Sequence, residues 1–393
     1  MKIAIVGCGM GGMSSAIQLA RDRHQVTIFE AFAQPKPLGA GLLLQPTGLE
    51  ALQKLGLRSR IEEKGAEIDG LVGRRPDGRL IMDLRYAYGR TGDTGIGIHR
   101  GSLFNALYEA VLKAGVHVET GREVEAITDF ETPVLQFADG DTSDSFDLVI
   151  VSDGAHSRLR AQIDPDAHAP EYPWGAVWTI LPDTDGQWHE ERWLAQVYSG
   201  TRIMIGVLPA GENPQHPEGP RCISFFWSLE TRNVETWQNS GLTAFLDEVE
   251  TFWPEARNLL NDVSSLENFA PAAYRDVRCR RWSRGRVMLI GDAAHGASPQ
   301  LGQGANMAIC DGVEIAAALK DETPSQAFVR YEKVRRPVLR YYTWMSWALT
   351  PVFQGHADWI GVIRDLVFGF MCRMPGVRNL MAWTLVGRGR WFW

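Results

Sequence analysis

Two glycine-rich stretches, far apart in the chain, carry the residue types that could do chemistry. One reads GCGMGG, from Gly7 to Gly12; the other reads GDAAHGASPQLGQGAN, from Gly291 to Asn306, with Asp292 as its single formal charge. In the first, Gly7, Gly9 and Gly12 stand in GxGxxG spacing. The first glycine permits a tight turn, the second lets a pyrophosphate approach the backbone, and the third lets a helix pack closely on a strand. Gly11 stands within the same turn. The strand QVTIFEA that follows ends in Glu30, with Ala31 next to it, where a carboxylate can accept from both ribose hydroxyls. The ligand that fits is an adenine dinucleotide, and this segment alone does not separate NAD from FAD.

The elements around these loops have the patterns that would hold them in place. KIAIVG and Leu148–Val151 are short apolar runs suited to strands buried on both faces, and Val287–Ile290 is a third. MSSAIQLARDR has helical spacing after the first loop, and a helix of about sixteen residues is expected after the second. An N-terminal helix end facing each loop would favour anionic groups there. FDLVIVSDGAHSRLR adds Asp153, Gly154, Ser157 and Arg160 at fixed offsets after a buried strand.

Composition limits the function classes. The 393 residues, 45% of them apolar, can form two or three packing units around substantial cores. A net charge of −7, with no basic block, argues against nucleic acid as a partner. The five cysteines are scattered without CxxC spacing, which argues against structural zinc, and no metal site is expected. The apolar stretch Ile3–Ala20 lacks a basic leader and is broken by glycines, so it reads as strand, turn and helix in a cytoplasmic protein. The sequence contains no catalytic triad, HExxH element or P-loop.

In order, GxGxxG, the DGxxSxxR element from Asp153 to Arg160, and Gly291–Asp292 followed by PQLGQGAN resemble the class A flavoprotein monooxygenases, typified by para-hydroxybenzoate, salicylate and ubiquinone-pathway hydroxylases. The resemblance covers roughly residues 1–340 and extends to GAGLLLQPTGLEALQKLGL (Gly39–Leu57) and IHRGSLFNAL (Ile98–Leu107). It implies an α/β fold: a Rossmann-like FAD domain with an inserted, mostly antiparallel sheet for substrate, and C-terminal helices. The implied division is 1–72, 97–170 and 275–340 for FAD, 73–96 and 171–274 for the sheet, and 341–393 for the helices. It also implies noncovalent FAD, with NADH or NADPH as a transient reductant and O2 as co-substrate. A flavin C4a-hydroperoxide would then hydroxylate an electron-rich aromatic or heteroaromatic small molecule.

Residue by residue, the resemblance gives Asp292 to the ribityl and pyrophosphate region, and Pro299 with Gly302, Gly304, Ala305 and Asn306 to the flavin ring. Arg100 would reach the phosphate or ribityl region and Val124 would lie beside the adenine, while Asp153 and Arg160 serve FAD and NAD(P)H. Two glycine-rich loops would then be needed because FAD has two ends. His295 is read as a backbone-bonding loop residue rather than a catalytic one.

Substrate-side candidates are Leu43, Gln45, Tyr198, Arg202, Met204, Trp227 and Pro299; strand alternation requires about half of the sheet residues to face away. LVGRRPDGRLIMDL reads as a hairpin around Asp77 and Gly78. The tryptophan-rich end after Tyr342 is expected as amphipathic helices on the FAD domain, with a membrane-surface or protein-partner face as the alternative. A flavin oxidase or reductase, a halogenase and a non-catalytic flavin carrier are the rival functions. A halogenase should carry WxWxIP, whereas WGAVWTILP from Trp174 has different spacing.

Overall fold

The computed structural model describes residues 1–35 and 41–390, so Gly39 and Ala40 of the expected Gly39–Leu57 segment and Trp391–Trp393 of the C-terminal segment lie outside the described residues. Lys2–Val6, Leu148–Val151 and Val287–Leu289 lie side by side and parallel in a six-stranded sheet. Gln25–Glu30 and His117–Thr120 extend it in parallel on one side, and Ser283–Arg284 closes the other edge antiparallel. The apolar run of each central strand is explained by burial on both faces, with Ile3, Ile5, Leu148, Ile150 and Met288 inaccessible to solvent.

Helices Met10–Arg21 and Gly304–Leu319 cross in close contact. A side chain at Gly312 would come within 2.5 Å of the Gly11 carbonyl oxygen and 2.7 Å of Ser14 Cβ, so only glycine permits the crossing. The crossing sets the first turn of Met10–Arg21 against Ala308 and Gly312, and so ties the helix that follows the first glycine-rich loop to the one that follows the second.

A seven-stranded sheet forms the second layer, in the order Ala270–Ala272, Trp174–Pro182, Cys222–Glu230, Ile203–Gly211, Trp193–Ser199, Gly70–Arg74 and Leu80–Arg85. All its pairings are antiparallel except that of Trp193–Ser199 with Gly70–Arg74. The hairpin turn at Asp77–Gly78 is present, and its first strand begins at Gly70, before the expected boundary at 73. Strand alternation gives the sheet two distinct faces. Val177, Val197, Ile205, Phe225 and Trp227 pack under helices Val234–Ser240 and Leu242–Phe252. Tyr198 and Leu208 belong instead to a cluster with Leu43, Tyr86, Phe353 and Leu385, against which Met204 packs.

The boundary expected at 340 falls inside a continuous 30-residue helix, Pro324–Phe353, which starts with a Thr323–Gln326 capping box. Its amphipathic spacing does not change at 340, so nothing local stops it there. Two further helices follow, Asp358–Met371 and Pro375–Val386.

Substituting Gly312 by Ala should push the two helices apart and lower the unfolding free energy by roughly 1–3 kcal/mol, the usual range for overpacking. Urea unfolding checks this; an unchanged midpoint would mean that the crossing relaxes freely.

Candidate active site

The first loop is built as its spacing requires. Gly7 has φ +98, a conformation that glycine adopts without strain, and its N–H donates to the Phe29 carbonyl at 2.8 Å. A Cβ at Gly12 would meet the Gly7 carbonyl oxygen and Ser152 Oγ, whereas the nearest atom to a Cβ at Gly9 is Ser152 O at 3.8 Å. The third glycine is thus packed and the second faces open space. Glu30, at the strand end, accepts from Cys8 N at 2.8 Å through Oε2 and from Phe32 N at 3.0 Å through Oε1. These bonds fix the carboxylate beside the loop while leaving acceptor capacity on both oxygens. Ala31 is exposed next to it, and Val124, buried at the start of Val124–Ile127, packs its side chain into the core.

Arg160 ties the other two motifs together. Its Nε donates to the Ala293 carbonyl at 2.7 Å, and its Nη2 to Ala155, Gly154 and Asp292 carbonyls at 2.9, 3.2 and 3.4 Å. Burial lowers the pKa of this guanidinium, and its Nε and Nη2 donors are spent on backbone carbonyls. The Asp292 carboxylate itself is exposed at the start of the short helix Asp292–His295.

Asp153 has a buried Oδ1 with no partner among the described residues. Burial pushes its carboxyl up to about 6, against the opposing effects of the Ser157 hydrogen bond and the Arg160 charge.

His295 bonds a side chain, not the backbone: its Nε2 lies 2.5 Å from Asp311 Oδ2, which also accepts from Gly291 N at 3.0 Å. Arg335 Nε donates to Asp311 Oδ1 at 2.6 Å. Burial would raise the Asp311 carboxyl, but the neighbouring His295 and Arg335 hold it down at about 2. Asp311 and Arg335 were not foreseen from the sequence; no local motif marks them, because the contact joins two helices.

At the second loop, Pro299–Leu301 forms a short turn and Gly302 follows with φ +60. A Cβ at Gly304 would meet nothing within 4 Å. The N–H groups of Gly304, Ala305 and Asn306 lie in the first turn of Gly304–Leu319, where no intrahelical acceptor exists. The Asn306 side chain is occupied: Oδ1 accepts from Gln45 N at 2.8 Å, and Nδ2 donates to Leu43 O at 3.1 Å and Gly302 O at 3.2 Å. It stitches the strand Gly41–Leu44 to the loop. Gln45, fully buried, accepts from Tyr86 OH at 2.5 Å, and its Nε2 has no partner among the described residues. Arg100 opens helix Arg100–Lys113, whose N-cap is His99.

A dinucleotide with an anionic ring fits these features. Two helix N-termini supply donors, Gly9 and Gly304 leave room for close approach, Asp153 Oδ1 awaits a partner, and Glu30 and Asp292 present acceptors to hydroxyls.

The substrate-side candidates divide. Tyr198 and Met204 are cross-strand partners on the sheet face that carries Leu43. Trp227 does not join them: it lies on the opposite face, with ring centroids 5.4 Å from Phe245 and 6.2 Å from Phe252. Arg202, at the hairpin tip, is exposed and 3.5 Å from Asp358. Phe226, the neighbour of Trp227, pairs with Trp178 at 4.7 Å between ring centroids. The period-two alternation of CISFFWSLE could have separated Phe226 from Trp227. Beside Pro299, Gln300 Nε2 donates to Tyr172 OH at 3.2 Å and to Gln354 Oε1 at 2.5 Å, and Gln354 Nε2 donates to Ser228 Oγ at 2.6 Å. This neutral network was also not read from the sequence.

A Rossmann-like layer holding a dinucleotide cradle, with a glycine-rich ring loop beneath a second sheet, defines the class A flavoprotein monooxygenases. The FAD binding domain family model matches residues 1–344, and the chain belongs to that family. It is 28% identical over 340 residues to the probable 2-heptyl-3-hydroxy-4(1H)-quinolone synthase of Rhodococcus erythropolis, covering 85% of this chain and 83% of the relative. It is equally 28% identical over 353 residues to the 6-hydroxynicotinate 3-monooxygenase of Pseudomonas fluorescens, covering 85% and 87%. The crystal structure of Klebsiella pneumoniae HpxO complexed with FAD and uric acid has the same fold, with a TM-score of 0.79 at 20% identity over 98% of this chain and 97% of that one. The chain is an FAD-dependent aromatic monooxygenase.

Replacing Asp292 by Ala should strip most of the flavin from the purified protein, read as the ratio of flavin to protein absorbance; full occupancy would remove Asp292 from the cofactor site. A second expectation concerns pH. Because the folded Asp153 carboxyl titrates near 6, above its unfolded value near 4, its stabilising contribution is complete below pH about 4 and is lost as pH rises through about 6. In FAD-stripped protein, Asp153→Asn should therefore match the parent at low pH and exceed it at neutral pH by up to about 3 kcal/mol in urea unfolding. A constant difference across pH would contradict the shift.

Proposed function

We propose that this monooxygenase hydroxylates an apolar, electron-rich aromatic ring, a phenol or a fused N-heteroaromatic of the quinolone type, which needs no dedicated protein base. When bound, FAD reduced by NAD(P)H supplies activated oxygen, one atom going to the ring and the other to water. Gly7, Gly9, Gly12 and Glu30 would hold its adenosine diphosphate end. Asp153, Asp292 and Arg100 would hold the middle, and the N–H groups of Gly304 to Asn306 would stabilise negative charge on the ring, that of Gly302 being donated to the Pro299 carbonyl.

The observation that carries the substrate reading is the position of Arg202. This cation, the one charged residue among the substrate-side candidates, stands at a hairpin tip against Asp358. The sheet face beside Leu43 instead presents Met204, Trp178 and Phe226, with Tyr198 enclosed against Phe353 and the Asp365-paired Arg364, and the groups near Pro299 that could orient a carbonyl or hydroxyl are the neutral Tyr172, Gln300 and Gln354. An apolar wall with a few neutral polar groups suits an apolar heteroaromatic. Similarity to a relative named as a quinolone synthase supports the same reading.

The experiment is a panel of phenols, quinolones and carboxylated aromatics, scored by oxygenated product rather than by NADH loss. Phenols or quinolones should give tightly coupled turnover, and Arg202→Ala should leave it unchanged. Tight coupling with a small carboxylated aromatic, abolished by Arg202→Ala, would overturn the proposal.

A further inference from the structure

Helix Asp358–Met371 is folded the wrong way round for a helix that only packs on a core. Its residues Trp359, Val362, Ile363, Leu366, Val367 and Phe370 form one stripe at i, i+3, i+4, i+7, i+8 and i+11, and each is between 42% and 66% exposed. The inward side holds Gly361 and Arg364. Arg364 is fully enclosed: its guanidinium bonds Asp365 Oδ1 at 2.6 and 2.9 Å and the Val352 carbonyl at 3.2 Å, and stands 4.9 Å from the centroid of the Tyr198 ring. The charged pair is inside and the apolar stripe outside. Trp347, Leu380 and Trp383 on the two neighbouring helices add exposures of 63%, 63% and 47%. Single exposed apolar residues are ordinary, but a continuous stripe this large marks an interaction surface.

Charge identifies the occupant. Residues 340–390 contain six arginines and no lysine, against two aspartates, in a chain whose net charge is −7. Both aspartates are neutralised, Asp358 by Arg202 at 3.5 Å and Asp365 by the enclosed Arg364, and Arg388 is taken up by Glu50 and Asp93, so the basic excess rests on Arg340, Arg373, Arg378 and Arg390. Arg373 continues the stripe one turn beyond Phe370, and Arg340 lies two turns before Trp347 on one face of its helix; both are exposed. Tryptophan with arginine around an apolar stripe matches the boundary of a bilayer bearing anionic headgroups. A twofold pair of copies would instead set this arginine rim against itself. Among the described residues no helix is long and apolar enough to cross a membrane, so the contact is one of lying on the surface.

We propose that the outer face of Asp358–Met371, with its flanking tryptophans, docks the enzyme on an anionic lipid surface. The inference is independent of which substrate the site takes.

The test is co-sedimentation of the full-length holoenzyme with vesicles of phosphatidylcholine alone or mixed with phosphatidylglycerol. The parent should pellet with the mixed vesicles, less so at high salt, with a blue shift in tryptophan emission. The double variant Leu366→Glu with Phe370→Glu should keep its FAD and its turnover of soluble substrate while losing roughly tenfold or more in vesicle affinity. Arg373→Glu should lose roughly fivefold on mixed vesicles and little on phosphatidylcholine. A parent that stays in the supernatant with both vesicle types overturns the proposal. So does unchanged binding by the double variant, or a parent dimer that the same double variant dissociates.

Discussion

The Arg160 guanidinium donates to backbone carbonyls of two segments more than 130 residues apart, Gly154–Ala155 and Asp292–Ala293. An arginine cannot give up its charge, and a buried carbonyl left without a donor costs free energy, so each side requires the other. This contact fixes the distance between the Asp153 turn and the Asp292 turn. Behind it, Asp311 accepts from Gly291 N while paired with His295 and Arg335, so the second loop is also braced from below. With the glycine-to-glycine helix crossing, these contacts determine where two anion-favouring helix ends point. A cofactor site made of loops is in this way given the rigidity of the sheet beneath it.

What could be read from the sequence was local. GxGxxG and Glu30 work through neighbours within one strand-turn-helix unit, and the structure joins them by a direct Glu30 to Cys8 hydrogen bond. The buried strands were legible because double-sided burial demands unbroken apolar runs. The helix crossing was not, since Gly312 acquires its meaning only against Gly11. Asp311 and Arg335 looked like ordinary helix surface residues, and only the fold turns them inward.

The sheet residues show the same limit in finer detail. Tyr198 and Met204 were separable from Trp227 only by knowing the register of strand pairing, because a shift of one residue exchanges the two faces. Arg202, a substrate-side candidate in the sequence, has its carboxylate partner within the chain, at Asp358. At the C-terminal end, composition signalled an unusual surface without saying which way each helix would turn. The exposed stripe could be assigned only once Arg364 was found on the inner side.

The helix Pro324–Phe353 touches both halves of the machinery. Arg335 in its first half braces Asp311 behind the cofactor loop, while Thr350 near its end, and Gln354 just past it, bond Tyr172 beside Pro299. At 1.5 Å per residue these two stations lie roughly 25 Å apart on one continuous element. Attempts to reshape the ring-side wall for new substrates are therefore separable from the brace behind the cofactor loop. Pro337 interrupts the hydrogen-bond ladder between the two stations, so changes at Thr350 or Gln354 and changes at Arg335 should combine close to additively.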